Sequence, residues 1–114
     1  MPRAEKMLLI FIDETDMWND SRLYEQIVLS LEHQGIAGAT VLSGILGYGV
    51  HRHVHRKGLF GVSDERPIAI AVIDQEEALR KALNTIRPMV QQGLMLLTDV
   101  EIIPLGDEVA HDRI

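Results

Sequence analysis

The sequence contains no cysteine, and aromatic residues make up only 4% of its 114 positions. The lack of cysteine excludes disulfides, thiolate metal sites and cysteine nucleophiles, and it is typical of a reducing compartment. Long apolar runs are also missing. The longest ones, Met7 to Ile12 and Ile68 to Ile73, fall far short of the roughly 18 residues that a membrane-spanning helix needs. We therefore expect a cytoplasmic protein that forms a single domain over residues 1–114.

An excess of positive charge is likewise missing, because the formal net charge is −6. Affinity for a nucleic-acid backbone comes from clustered Lys and Arg, so we expect no DNA or RNA binding. One segment departs from this acidity. Residues 51–57 hold three Lys or Arg, three His and no acid, which leaves 8 basic against 17 acidic residues elsewhere (8 − 17 = −9). This segment predicts contact with a negatively charged ligand.

Hydrophobic patterning predicts four strands and two helices. The first helix has an apolar stripe, can be capped by Asp20 or Ser21, and ends at Gly35. The second helix opens with a capping box that starts at Asp74, and Gly93 stops it. Pro88 should kink or interrupt the second helix, because its ring removes a hydrogen bond and crowds the preceding turn. The predicted strands cover residues 7–12, 38–46, 67–73 and 95–103, and the predicted helices cover residues 21–34 and 75–92.

The resulting order, βαββαβ, is the ferredoxin-like pattern of an α+β fold. It implies a four-stranded antiparallel sheet with both helices on one face. With right-handed crossovers, the first and third strands lie in the middle of the sheet. The second face would then expose a row of apolar side chains in a monomer, and such a patch indicates assembly.

The segment between the second and third strands, residues 47–66, has no helical or strand period, and loops of this length are usually functional. Gly44, Gly47 and Gly49 stand at its base. Their spacing is neither the dinucleotide fingerprint nor a P-loop. Glycines nevertheless let backbone N–H groups approach a phosphate closely, so we weigh phosphate contact against plain turn formation.

His51, His53 and His55 alternate, so in an extended segment their imidazoles would share one side and could bind zinc or copper. The neighbouring Arg56 and the other basic residues oppose a dication. A phosphate-contacting or exposed loop is therefore the alternative interpretation. An acidic loop at 13–20 could likewise hold a cation, but it lacks the spacing of a calcium loop and is better explained as solvated.

Catalysis has little support in the sequence. The serines lack a nucleophile signature such as G-x-S-x-G, and no spacing pairs an acid with a base. We therefore expect a protein that is not an enzyme.

Several segments carry a resemblance to a known family. They are Leu9–Ile12 with the acidic Glu14 and Asp16, Leu23–Val28, the glycine-rich run 35–49, Val54–His55, Leu59, residues 63–67 and residues 89–94. Together, over about residues 7–103, they resemble the PII-like proteins of domain-of-unknown-function family 190, a branch of the PII signalling superfamily. The run from Gly38 to Gly49 is the most specific part. His51 and His53 do not match that family.

The resemblance implies a homotrimer with its sheets facing inward and a mobile T-loop at about 47–66. The residues themselves predict a polar C-terminal tail at 104–114. It also implies that an adenine nucleotide, which is ATP, ADP, AMP or cyclic AMP, binds between subunits. No other cofactor is required. The nucleotide would change the T-loop and so regulate a partner protein such as a membrane transporter. On this basis the nucleotide-binding residues are expected to be Thr40, Gly44, Gly47, Gly49, His55, Arg56, Gly93 and Leu94, with no metal unless the three loop histidines bind one.

Overall fold

The computed structural model describes residues 5–47, 55–56 and 66–106. Within these residues the longer strands form one sheet, and two helices of three turns connect them. The strands are β1 (Glu5–Asp13), β2 (Met17–Trp18), β3 (Ser21–Arg22), β4 (Ala39–Ser43), β5 (Leu46–Gly47), β6 (His55–Arg56), β7 (Pro67–Gln75) and β8 (Leu94–Asp99). The helices are α1 (Leu23–His33) and α2 (Glu76–Ile86), and a 3-10 turn covers Arg87–Met89.

The four long strands lie in the order β4-β7-β1-β8, and every neighbouring pair is antiparallel. The predicted ferredoxin-like α+β fold is therefore confirmed, with the first and third predicted strands at the centre. These two strands are central because they are apolar on both faces, as a strand inside a sheet must be.

Both helices cover one face of the sheet and enclose a single core. Alternate side chains of β1 and β7 point into it, including Ile10 and Ile70, which are fully buried. The helices contribute stripes at spacings of three and four residues, as the sequence predicts. The core consists of Leu8, Ile10, Ile12, Leu23, Ile27, Leu31, Ile68, Ile70, Val72, Leu79, Ala82, Ile86 and Met89.

The other face of the sheet is apolar and open to solvent. Two rows of directly paired residues cross it, namely Leu42–Ala69–Phe11–Leu94 and Thr40–Ala71–Leu9–Leu96. We call these eight residues the open face. Leu42 and Leu94 are 53% and 54% exposed, Leu96 is 43% exposed and Phe11 is 39% exposed. The predicted uncovered apolar face is thus present.

The start of α1 differs from its prediction. Ser21 does not belong to the helix, because β3 pairs with β2 around a turn in which Asn19 has a φ of +56°. Neither predicted cap is used, since the N-cap residue is Arg22 and it makes no side-chain capping bond. The end of the helix agrees with prediction, because Gly35 adopts a φ of +79°.

The bounds of α2 also differ from those predicted. Asp74 is not the cap, because β7 continues through Gln75 and the helix begins only at Glu76. The Asp74 carboxylate instead accepts the N–H groups of Gln75 at 2.7 Å and Ala37 at 3.1 Å. At the other end, Gly93 is not the stop. The α-helix ends at Ile86 and gives way to the 3-10 turn that contains Pro88.

Two strands are shorter than predicted. β4 stops at Ser43 instead of residue 46, because the chain then leaves the sheet and Leu46–Gly47 pair with His55–Arg56. β8 covers residues 94–99 instead of 95–103, which matches the length over which β1 can pair with it.

One ion-pair cluster lies at the end of the sheet where β1 begins and β8 ends. Lys6 of β1 donates to the carboxylate of Asp99 of β8 and lies 3.8 Å from a carboxylate oxygen of Glu76. The hydrogen bond to Asp99 raises the pKa of Lys6, and the same bond lowers the pKa of Asp99.

We expect Asp99→Asn to cause a small loss of stability at neutral pH that shrinks at high salt, because exposed ion pairs are screened. Since the folded pKa of Asp99 is lowered, the contribution should be present above the unfolded value and lost as the pH falls through the folded one. The raised pKa of Lys6 has the opposite sign, so its share is lost only at strongly alkaline pH. Urea midpoints at several pH values would measure this, with Glu101→Gln as the control. An equal loss in both variants would contradict the pairing.

Candidate functional site

Among the predicted site residues that the structure describes, Gly44, Gly93 and Leu94 lie at one end of the sheet. β1 and β4 end there, while β7 and β8 begin there. The register places Ser43 opposite Ile68, Ile68 opposite Ile12, and Phe11 opposite Leu94. Gly44 and Gly93 therefore flank the same end, which we call the site end.

The two groups of predicted residues nevertheless occupy opposite edges. Thr40 belongs to β4 at one edge, and Gly44 directly follows that strand, whereas Leu94 belongs to β8 at the other edge. Two strands lie between them, so the edges are about 14 Å apart at roughly 4.8 Å per strand. One protomer therefore does not combine both groups in a single pocket.

Gly44 packs against a proline. A Cβ added at Gly44 would lie 2.6 Å from Cγ of Pro67, and one at Gly47 would lie 3.3 Å from the same atom. The Gly44 N–H donates to the Pro67 carbonyl at 2.7 Å. That N–H is occupied within the sheet, so any phosphate contact must use N–H groups that follow it. Close packing at the loop base is thus a sufficient reason for glycine here.

A second short ladder closes the base of the predicted T-loop. Gly47 pairs with His55, and Leu46 pairs with Arg56. The structure therefore brings three of the predicted residues, Gly47, His55 and Arg56, next to one another through their backbones. Gly49, His51 and His53 lie outside the described residues, as does the rest of the predicted T-loop at 48–54 and 57–65.

Gly93 lies against the backbone of β1. Its φ is +155°, and an added Cβ would lie 2.6 Å from the Phe11 carbonyl oxygen. Beside it is an open hollow of about 350 Å³, whose lining residues are Leu83, Arg87, Val90, Gln91, Gly93 and Met95. Its lining thus includes the apolar residues Leu83, Val90 and Met95 and the basic residue Arg87.

Three arginines lie near the site end, and no sequence pattern predicts any of them as a binding residue. Arg22 precedes α1, Arg66 precedes β7, and Arg87 follows α2. They are scattered in the sequence, and each has acidic or apolar neighbours, so no local pattern marked them. A possible signal was their position next to predicted element ends, where ligand-binding loops occur.

The structure does not test the alternative that His51, His53 and His55 bind a metal ion. Across residues 5–47, 55–56 and 66–106, no three His, Cys, Asp or Glu side chains come together in a way that could hold a metal ion. Two of the three loop histidines are outside those ranges. In the acidic loop, the Asp16 carboxylate accepts the N–H of Asp13 at 3.0 Å, so it helps to shape the turn.

Within the described part of the chain, neither helix has the length and hydrophobicity to cross a membrane.

Comparison with known protein families identifies the family of this chain. Residues 5–102 match the family DUF190, uncharacterized ACR. The chain belongs to the DUF190 family. Curated members of similar length agree with this assignment. A UPF0166 protein from Aquifex aeolicus is 32% identical over 101 residues, which cover 89% of this chain and 95% of the relative. A UPF0166 protein from Methanocaldococcus jannaschii is 35% identical over 98 residues, which cover 85% of this chain and 90% of the relative.

Solved structures show the same fold. CPII, a nitrogen regulatory PII-like protein from Thiomonas intermedia K12 bound to ADP, AMP and bicarbonate, superposes with a TM-score of 0.66 at 21% identity, covering 86% of this chain and 87% of CPII. The divalent ion tolerance protein CutA1 from Ehrlichia chaffeensis gives a TM-score of 0.59 at 17% identity, covering 90% and 86%. The predicted membership of family 190 is therefore confirmed by the family match, and CPII and CutA1 show that the chain shares their fold.

Proposed function

We propose that this DUF190 protein is a non-catalytic, PII-like regulator. It forms a homotrimer, binds an adenine nucleotide in the clefts between protomers, and regulates a partner protein through its T-loop at about 47–66. The supporting observation is that the two halves of the predicted site flank the same end of the sheet but lie on opposite edges, next to an uncovered apolar face.

Assembly would resolve both features. Copies that pack their open faces together remove Leu42, Phe11, Leu94 and Leu96 from water, which is favourable by roughly 25 cal/mol per Å² of apolar surface. Around such a ring, the β4 edge of one protomer can lie beside the β8 edge of the next. The adenine nucleotide would then bridge the two edges.

Each predicted residue except Gly44, whose N–H donates to Pro67, has a ligand-binding role in this arrangement. The adenine base would lie on the β4 edge near Thr40 and the exposed Leu42. The phosphates would meet backbone N–H groups between Gly47 and Gly49 and at Gly93–Leu94, and His55 and Arg56 would add charge where they join the loop stem. CPII, which has this fold, is bound to ADP and AMP, and this supports the ligand class.

Regulation follows from differential affinity. A nucleotide that contacts only one arrangement of the T-loop shifts the population toward that arrangement, by no more than the difference in its affinity for the two. The partner, such as a membrane transporter, would read the arrangement of the loop.

A thermal-shift and calorimetry panel of ATP, ADP, AMP and cyclic AMP tests the proposal. We expect at least one adenylate to stabilise the protein, by about 2.7 kcal/mol at 100 times its Kd. Chromatography afterwards should recover the nucleotide intact. A protein that responds to no adenylate would refute the proposal. A response to Zn²⁺ or Cu²⁺ alone, lost on replacing His51 and His53, would support the metal alternative instead.

A further inference from the structure

Arg66 is fixed at the site end by the two strands on either side of it. Its carbonyl oxygen accepts the N–H of Glu14 at 2.9 Å, just beyond the end of β1. The next residue, Pro67, accepts the N–H of Gly44 at 2.7 Å, just beyond the end of β4. The backbone of Arg66 therefore has little freedom, and its side chain starts from a defined position at the base of the T-loop.

The guanidinium of Arg66 lacks a hydrogen bond at one of its nitrogens. Its Nε atom is buried and makes no hydrogen bond. Arginine stays protonated in proteins and has five N–H donors, and a buried N–H without an acceptor is unfavourable. Such a group calls for an explanation, and a bound anion is one of those that fit.

A second arginine contacts the same residue, Glu14. Arg22 donates from Nη1 to the Glu14 carbonyl at 3.2 Å, while the Glu14 N–H donates to Arg66. In the part of the chain that the structure describes, neither arginine has a carboxylate partner. The ion pairs found there, Lys6 with Glu76 and Asp99, and Arg80 with Glu76, are at the far end of the sheet or on the first turns of α2.

We propose that Arg66 binds a phosphate-type oxyanion at the base of the T-loop. The edge of a guanidinium, formed by Nε–H and one Nη–H, matches two oxygens of a phosphate in a bidentate pair. The oxyanion is either the terminal phosphate of the nucleotide, in which case the inference rests on the proposed function, or free inorganic phosphate. Bicarbonate, which accompanies ADP and AMP in CPII, is a planar oxyanion of smaller charge and serves as a comparison.

The experiment compares Arg66→Met with Arg80→Met, which removes the same charge at the opposite end of the sheet. Calorimetry gives the ratio of the Kd values for ADP and adenosine, and thermal shift measures stabilisation by inorganic phosphate and bicarbonate. We expect Arg66→Met to weaken ADP at least tenfold relative to adenosine, or to abolish the phosphate shift, while Arg80→Met changes neither. Arg66→Lys keeps the charge but loses the two-donor edge of the guanidinium, so it should restore only part of the binding that Arg66→Met loses.

The possible failures can be told apart. If the wild type binds no adenylate but phosphate stabilises it through Arg66, the proposed function fails and the oxyanion site stands. If the wild type binds ADP and Arg66→Met weakens ADP and adenosine equally, with phosphate having no effect, the nucleotide site stands and the Arg66 inference is overturned. Arg66→Lys keeps the test valid if the methionine variant does not fold.

Discussion

Leu96→Asp is expected to convert the assembled protein into monomers. Leu96 lies on the open face, 43% exposed in the protomer, and is paired with Leu9. A carboxylate placed between packed apolar sheets would lose its water without gaining a partner, and such a buried charge costs several kcal/mol. On the isolated protomer the same carboxylate stays in water, so the fold should survive.

The matched control is Leu29→Asp. Leu29 is a leucine of similar exposure, 47%, on the outer surface of α1. Sedimentation equilibrium should show monomers for Leu96→Asp and the wild-type mass for Leu29→Asp, and circular dichroism should show both to be folded. Because the proposed site joins two edges from different protomers, nucleotide binding should also be lost in Leu96→Asp alone. A monomeric wild type, or an assembled Leu96→Asp that still binds nucleotide, would contradict the arrangement.

The fold could be predicted from the sequence because its determinants are local and periodic. The continuous apolar runs around Ile10 and Ile70 indicate strands that are covered on both faces, and these are the central strands. The stripe through Ile27 and Leu31 identifies the buried side of α1. Right-handed crossover then leaves only one arrangement of the sheet, and with it the open face.

Several element ends could not be predicted, because they depend on partners that are distant in sequence. β7 runs two residues beyond Ile73 because Asp74 and Gln75 pair with Lys6 and Glu5 of β1. The capping-box pattern at Asp74 is the same in a strand end and a helix start, and pairing with β1 favours the strand.

The site residues likewise divide into those that a local pattern predicts and those that depend on distant parts of the chain. A local pattern marked the glycines and the basic segment, and the structure places Gly47 opposite His55 as part of one stem. No local pattern predicts Arg66 and Arg22, because only the fold brings both of them to Glu14. Residues that act through tertiary contacts of this kind are invisible to spacing alone.

Gly93→Ala is expected to cost about 3 kcal/mol of stability, combining the strain of a glycine-favouring φ with a steric overlap. The φ of Gly93 is +155°, and the new Cβ would stand 2.6 Å from the Phe11 carbonyl oxygen and 3.1 Å from Ile12 and Val90. The Phe11 carbonyl cannot easily move away, because β1 is paired with β7 on one side and β8 on the other. The start of β8 must shift instead.

Gly35→Ala separates the two causes of that loss. Gly35 has a φ of +79° but no neighbour within 4 Å of an added Cβ, so alanine there meets only backbone strain of about 1–2 kcal/mol. Urea denaturation should therefore show a clearly larger loss for Gly93→Ala, and equal losses would mean that the contact with Phe11 is unimportant. The comparison also bears on ligand binding. Weaker nucleotide binding by Gly93→Ala, with normal binding by Gly35→Ala, is expected because the overlap shifts the start of β8, where Leu94 lies.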